Sequence, residues 1–325
     1  MKRIAVLATG GTIASRPTGA GGATVADTSV DLLSRVTAPQ GVQLLGRDVL
    51  GKNSFELTPR DMQTVLGAVL EALAGEVDGV VVTHGTDTLE ETAFFVDLFL
   101  ADERPVVFTG AQRGADAADT DGPANIRDAV TVAAAVGPRG LGALVVFDGS
   151  IFAARGIRKT HTLASAAFSS PDIGPIGGLA QGRPSVWSSP RRQQPLDAAS
   201  LRAADVRVDV VAIYPGCDST ALEAVVDAGA QGVVLEGTGA GNANSTITDT
   251  VAELTARGVV VLLSTRVSSG FVTPIYGGGG GGVDLVAAGA IPTGLLRPSQ
   301  ARMLLIAALG TGGDVRCVRE LLGTT

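Results

Sequence analysis

Residues 83–88 read Thr-His-Gly-Thr-Asp-Thr, placing three hydroxyls, a carboxylate and one of the chain's two histidines on six consecutive positions. They follow the β-branched run Val80–Val82 and precede a helical pattern carried by Leu89, Ala93, Val96 and Leu100. Capping accounts for part of this, since Asp87 with Glu90, and Thr88 with Glu91, have capping-box spacing. A cap needs only one short polar side chain, so the crowding of five polar residues favours a functional turn. Gly85 lets a ligand approach the backbone closely. The N–H groups of a following helix would favour an anionic group such as a carboxylate.

Two other segments could supply partners. ATGGTIAS (8–15) carries Gly10 and Gly11, which permit a tight turn, and then Thr12. Neither the G-x-G-x-x-G spacing of a dinucleotide loop nor a P-loop lysine is present. Thr12 could serve simply as a helix cap. ARGIRKTHT (154–162) carries Lys159. A lysine on a basic turn is ordinarily solvated, but one held beside Asp87 and a threonine could lose its proton and relay that of the hydroxyl.

The elements that would position these residues are legible as apolar runs: 3–10, 78–85, 105–111, 142–149, 209–216, 232–239 and 258–265. Each is apolar at nearly every position, which suits strands of a parallel sheet covered on both faces. Between them, 57–73 and 220–229 repeat apolar residues at helical spacing. The expected class is α/β: a larger N-terminal domain with a mostly parallel sheet flanked by helices, and a smaller C-terminal α/β domain. Open parallel sheets bind ligands outside the carboxyl ends of their strands, where these runs finish in small and hydroxyl-bearing residues. The Pro/Ser-rich segment 187–207, with Arg191 and Arg192, interrupts the rhythm. The expected division is 1–189, a linker 190–207, and 208–325. Six glycines, 277–282, suggest either a slack surface loop or a mobile loop beside a site.

Composition narrows the partners. With 325 residues, 45% of them hydrophobic, the chain is long enough for substantial cores. A net charge of −7 argues against nucleic acid. No apolar stretch approaches the roughly 20 residues of a membrane span. MKRIAVLATGG lacks a signal peptide's long apolar core and cleavage site, so a soluble cytoplasmic setting is expected. Cys217 and Cys317 have no metal-ligand spacing, and with two histidines a transition-metal site is not expected.

ATGGTIAS, THGTDTLEETA and the K-T-x-T stretch from Lys159 together resemble the bacterial-type L-asparaginase family. DGPAN (121–125), GPIG (174–177), GTGAGN (237–242) and STRVSSG (264–270) follow in the family's order. The resemblance implies hydrolysis of the side-chain amide of L-asparagine, without a cofactor or metal. It also implies a homodimer or homotetramer with sites between neighbouring subunits. By position, Thr12 matches the first catalytic threonine, the favoured nucleophile. Thr86, Lys159 and Asp87 match a Thr-Lys-Asp group, and Asp87 would also hold the substrate's α-ammonium. Ser54 matches the binder of the α-carboxylate, Gly11 and Gly85 line the substrate, and Ala111 offers a backbone contact to the departing amide. Asn242 matches an asparagine contributed by the partner subunit. The chain departs from the family in two places. The loop 15–29 has no tyrosine to help activate Thr12, Ala23 standing near the expected place, and Phe55 follows Ser54 where a polar residue is usual. Tyr276, at the edge of the polyglycine run, is a candidate replacement, although a core or hinge role is favoured for it. A glutaminase, an amidotransferase subunit and a non-catalytic amino-acid-binding protein are the competing readings.

Overall fold

The structure is a computed structural model that describes residues 1–17 and 21–323. The chain forms two compact units, Met1–Pro195 and Leu196–Thr325.

Among the described residues, the first unit is built on an eight-stranded sheet. In chain order its strands are β1 (Lys2–Gly10), β2 (Val42–Lys52), β3 (Gly79–Thr83), β4 (Val106–Thr109), β5 (Ala143–Phe147), β6 (Ser150–Ala153), β7 (Gly177–Ala180) and β8 (Arg183–Val186). Across the sheet the order is β8-β7-β6-β5-β4-β3-β1-β2. The five strands from β2 to β5 are parallel, and β6, β7 and β8 extend them antiparallel. Val80, Val81 and Val82 are wholly buried, as strands sandwiched on both faces must be. Helices α1 (Pro59–Ala74), α2 (Leu89–Asp97) and α3 (Gly122–Ala134) pack against the sheet. α3 contributes Ile126, Ala129, Val130 and Ala133 to a core with Ile4, Val6, Val81 and Val107. α1 starts from a capping box between Thr58 and Asp61, with Pro59 in its first turn. Arg192, from the arginine pair expected in a linker, donates to the Leu100 carbonyl at 2.8 Å and pairs with Asp97 at 3.3 Å.

The register gathers the site. Thr83, the last residue of β3, lies opposite Ala8 of β1 on one side and Thr109 of β4 on the other. The turns that follow these three strands therefore emerge side by side.

The second unit has a parallel sheet of β9 (Val208–Ala212), β10 (Gly232–Gly237), β11 (Val260–Thr265) and the short β12 (Ile291–Pro292). Helices Thr220–Asp227 and Ser245–Ala256 contribute Leu222, Ile247, Val251 and Leu254 to its core. Leu201 and Ala203 are also buried, and Arg202 N–H donates to the Gly310 carbonyl.

The polyglycine run is exposed over Gly277–Gly279 and packed from Gly280 to Gly282. A Cβ on Gly280 would lie 2.6 Å from the Asn244 Cα, and one on Gly281 would lie 2.0 Å from the Tyr276 carbonyl oxygen. Asp284 accepts from the N–H groups of Gly279 and Gly281, and the last glycine, Gly282, opens the helix Gly282–Ala287. Backbone approaches this close exclude side chains, which gives Gly280 and Gly281 a steric reason.

Candidate active site

The turns after β1 and β3 are in direct backbone contact, and Ser54, in the turn after β2, reaches them through its side chain. Gly11 has φ 82°, a left-handed value suited to glycine. A Cβ there would lie 2.2 Å from the Gly85 Cα. A Cβ on Gly85 would in turn lie 2.6 Å from Ser54 Oγ and 3.0 Å from the Gly11 Cα. Gly11, Gly85 and Ser54 thus meet without room for a methyl group, and Thr12 sits beside them. Among the described residues neither the Thr12 nor the Ser54 hydroxyl makes a hydrogen bond. Thr12 is not a side-chain cap of the 3-10 turn Thr12–Ala14.

The turn after β3 is a 3-10 turn, Thr86–Thr88, leading directly into α2. Neither element has a side-chain cap, so the capping-box spacing of Asp87 and Thr88 is not used that way. Thr88 Oγ1 instead donates to the Ser54 carbonyl at 2.8 Å, tying the two loops together. Asp87 and Thr86 face Lys159. The Lys159 Nζ donates to Thr86 Oγ1 at 2.9 Å and to Asp87 Oδ1 at 2.7 Å. Lys159 arrives on a two-residue strand, Arg158–Lys159, paired antiparallel with Phe168–Ser169. Its own N–H donates to Glu90 Oε2 at 2.6 Å, anchoring the lysine to the first turn of α2. A cavity of about 400 Å³ opens there, lined by Asp87, Glu90, Lys159, Thr160, His161 and Thr162.

His84 lies behind this turn, wholly buried, with Nδ1 2.7 Å from the Gly85 carbonyl oxygen. The carbonyl can only accept, so Nδ1 carries the proton. Burial pushes the imidazole pKa down from 6.5 to about 4, against the opposing pull of that hydrogen bond. His84 is therefore a neutral structural group.

Ala111 is fully buried, and among the described residues its N–H makes no hydrogen bond. The Gly11 N–H is engaged by the Lys52 carbonyl at 3.0 Å, whereas among the described residues the Thr12 N–H makes no hydrogen bond. Asn242 belongs to the second unit, where its Oδ1 accepts from Gly282 N–H at 3.0 Å. Its loop is thereby fastened to the polyglycine run. Tyr276 is 61% exposed, which removes a core role for its ring. Phe55 is also exposed, and Ala23 lies on the short strand Ala23–Val25. Residues 18–20 of the 15–29 loop lie outside the described residues.

Sequence reasoning missed two members of this array. Gln112, next to Ala111, accepts from Thr86 Oγ1 at 3.0 Å. Asp121, the first residue of DGPAN, accepts from the N–H groups of Gln112 and Arg113. The motifs TGAQ and DGPAN were visible, but nothing in their spacing pairs Gln112 with Thr86. Among the described residues no cluster of three or more His, Cys, Asp or Glu could hold a metal ion, and no helix is long and apolar enough to cross a membrane.

Comparison with known proteins gives this array its context. The family model "Asparaginase, N-terminal" matches residues 3–192, and "Glutaminase/Asparaginase C-terminal domain" matches residues 207–322. The chain belongs to the bacterial-type L-asparaginase family. It is an enzyme of that family by the breadth of the match. A probable L-asparaginase of Deinococcus radiodurans is 38% identical over 99% of this chain and 97% of that protein. L-asparaginase 2 of Escherichia coli is 32% identical over 99% of this chain and 92% of that protein. The crystal structure of a probable cytoplasmic L-asparaginase from Campylobacter jejuni superposes with a TM-score of 0.85 at 31% identity, over the whole of both chains. The asparaginase fold thus accounts for both units.

Proposed function

We propose that the chain hydrolyses the side-chain amide of L-asparagine to L-aspartate and ammonia, with Thr86, Lys159 and Asp87 acting as one group. The observation that carries this reading is the convergence of the Lys159 amine on the Thr86 hydroxyl and the Asp87 carboxylate. Lys159 lies 73 positions from Thr86 and 72 from Asp87 in sequence.

Amide hydrolysis needs a nucleophile, a proton acceptor, donors for the developing oxyanion and a proton for the leaving nitrogen. Thr12 Oγ is the nucleophile: free of hydrogen bonds among the described residues, it is available to attack the amide carbon. The N–H groups of Thr12 and Ala111 are the candidate oxyanion donors, each worth about 2.7–4 kcal/mol when well aimed. Collapse of the tetrahedral species breaks the C–N bond and releases ammonia, the Thr12 hydroxyl proton ending on the leaving nitrogen and an ester remaining on Thr12. Water then cleaves that ester. Lys159 in its neutral form accepts a proton from Thr86 or from water, while Asp87 orients the amine and binds the substrate's α-ammonium. Ser54 binds the α-carboxylate, and Gly11 and Gly85 line the substrate.

The same reading includes Asn242 of a partner subunit in a homodimer or homotetramer, no cofactor or metal, and a cytoplasmic setting. Glutaminase activity is the alternative at the same site, because one methylene changes binding by only about 1–3 kcal/mol. Ammonia release from L-asparagine, L-glutamine and their D-isomers tests the assignment. L-Asparagine is expected to give the highest kcat/KM. Thr12→Ala and Thr86→Ala are each expected to abolish turnover with the fold retained. A near-normal rate in either variant removes that threonine from the mechanism.

A further inference from the structure

Gln112 has no part in the reading above, yet it is the only described side chain other than Lys159 that hydrogen-bonds the Thr86 hydroxyl. Its amide orientation is determined by its surroundings. The Nε2 group lies 3.2 Å from the Thr162 carbonyl oxygen and 3.1 Å from that of Ala164. Both carbonyls can only accept, so the NH2 end must face them and the oxygen must face Thr86. The turn presenting those carbonyls is closed by His161 Nδ1, which accepts from the N–H groups of Leu163 and Ala164. Asp121 holds the Gln112 backbone from the other side.

The Thr86 rotor is therefore held at two points. Its hydroxyl donates to Gln112 Oε1, and its methyl group, as in any β-branched side chain, restricts rotation about χ1. With the proton directed at Gln112, an Oγ1 lone pair is left to accept from Lys159. We infer that Gln112 is a positioning residue for Thr86, fixing the side-chain rotamer so that Oγ1 stays within proton-transfer reach of Lys159. This inference rests on the role proposed for Thr86.

The test is a double-mutant cycle on kcat with L-asparagine, using Gln112→Met, Thr86→Ser and the double variant, with Thr86→Ala as reference. Gln112→Met keeps the side-chain length but removes the acceptor. Its kcat is expected to fall on the order of tenfold, with KM changed less than about twofold, as for a displaced reacting group. Thr86→Ser keeps the hydroxyl and removes the methyl restraint. With both restraints gone, the double variant is expected to lose at least about fivefold more than the product of the single losses. Gln112→Asn, whose amide falls a methylene short of Thr86, is expected to behave like Gln112→Met and serves if the latter is poorly folded. A kcat within twofold of wild type in both Gln112 variants overturns the inference. Independent, multiplicative losses do so as well, since they would mean that Gln112 only props the 160–164 loop. Near-normal turnover in Thr86→Ala overturns the proposed mechanism and this inference together, whereas an inactive Thr86→Ala with multiplicative losses overturns only the inference.

Discussion

The Lys159–Asp87 pair illustrates how geometry and stability separate. The lysine side chain is 17% exposed and that of Asp87 52%, so solvent screens their attraction and the pair adds little to folding. Its value is positional: the amine is held 2.9 Å from a hydroxyl it can exchange a proton with. Lys159→Met is therefore expected to lower kcat by a factor of about 100 to 10 000, the range general acid–base catalysis supplies. The change in stability should stay within roughly 1 kcal/mol. Steady-state kinetics paired with a thermal melt reads both. A variant that melts normally but keeps more than a tenth of wild-type kcat would show that the amine is not the proton acceptor.

At the level of elements, the site is an encounter of three turns delivered by adjacent parallel strands. The strand runs were legible because burial on both faces leaves an unmistakable apolar signature, as in Val80–Val82. β2 was not, because its mixed exposure leaves no such run, and β7 and β8 pair antiparallel with alternating or glycine-containing sequences. Thr86, Asp87 and Lys159 were recognised from motifs. Their convergence depends on a two-residue strand and on the Glu90 anchor of the Lys159 N–H, neither of which has a sequence period to detect. In the polyglycine run, composition reports backbone freedom but not the backbones that press against Gly280 and Gly281. The same crowding yields a prediction at the junction of the turns. Gly85 has φ −70°, so alanine fits its backbone, yet the new methyl would lie 2.6 Å from Ser54 Oγ. Gly85→Ala must therefore push Ser54 or Gly11 aside, at a cost of roughly 1–3 kcal/mol. If Ser54 binds the α-carboxylate, KM for L-asparagine should rise at least about tenfold and by a larger factor than kcat falls, because a binding contact is lost. An unchanged KM would dissociate Ser54 from substrate binding.

For the molecule as a whole, His84 sets part of the acid limit of stability, because the first unit folds around an uncharged imidazole. The folded-state pKa is depressed to about 4 from 6.5 by burial. Between those values the unfolded chain binds a proton that the folded chain refuses, so stability rises with pH across the window and falls as the solution is acidified through it. Relative to neutral pH, this group alone removes about 2 kcal/mol by pH 5 and about 3 kcal/mol by pH 4. Replacing the ring with an uncharged amide, His84→Gln, abolishes the proton-linked component while lowering stability at pH 7, where the packing against Phe108 and the hydrogen bond to Gly85 are disturbed. Unfolding curves at pH 7.5, 6, 5 and 4.5 should show the gap between wild type and variant narrowing steadily on acidification. Parallel pH dependences would mean that the imidazole is protonated in the folded protein with little penalty, and that the turn carrying Thr86 and Asp87 is wetter than its burial implies.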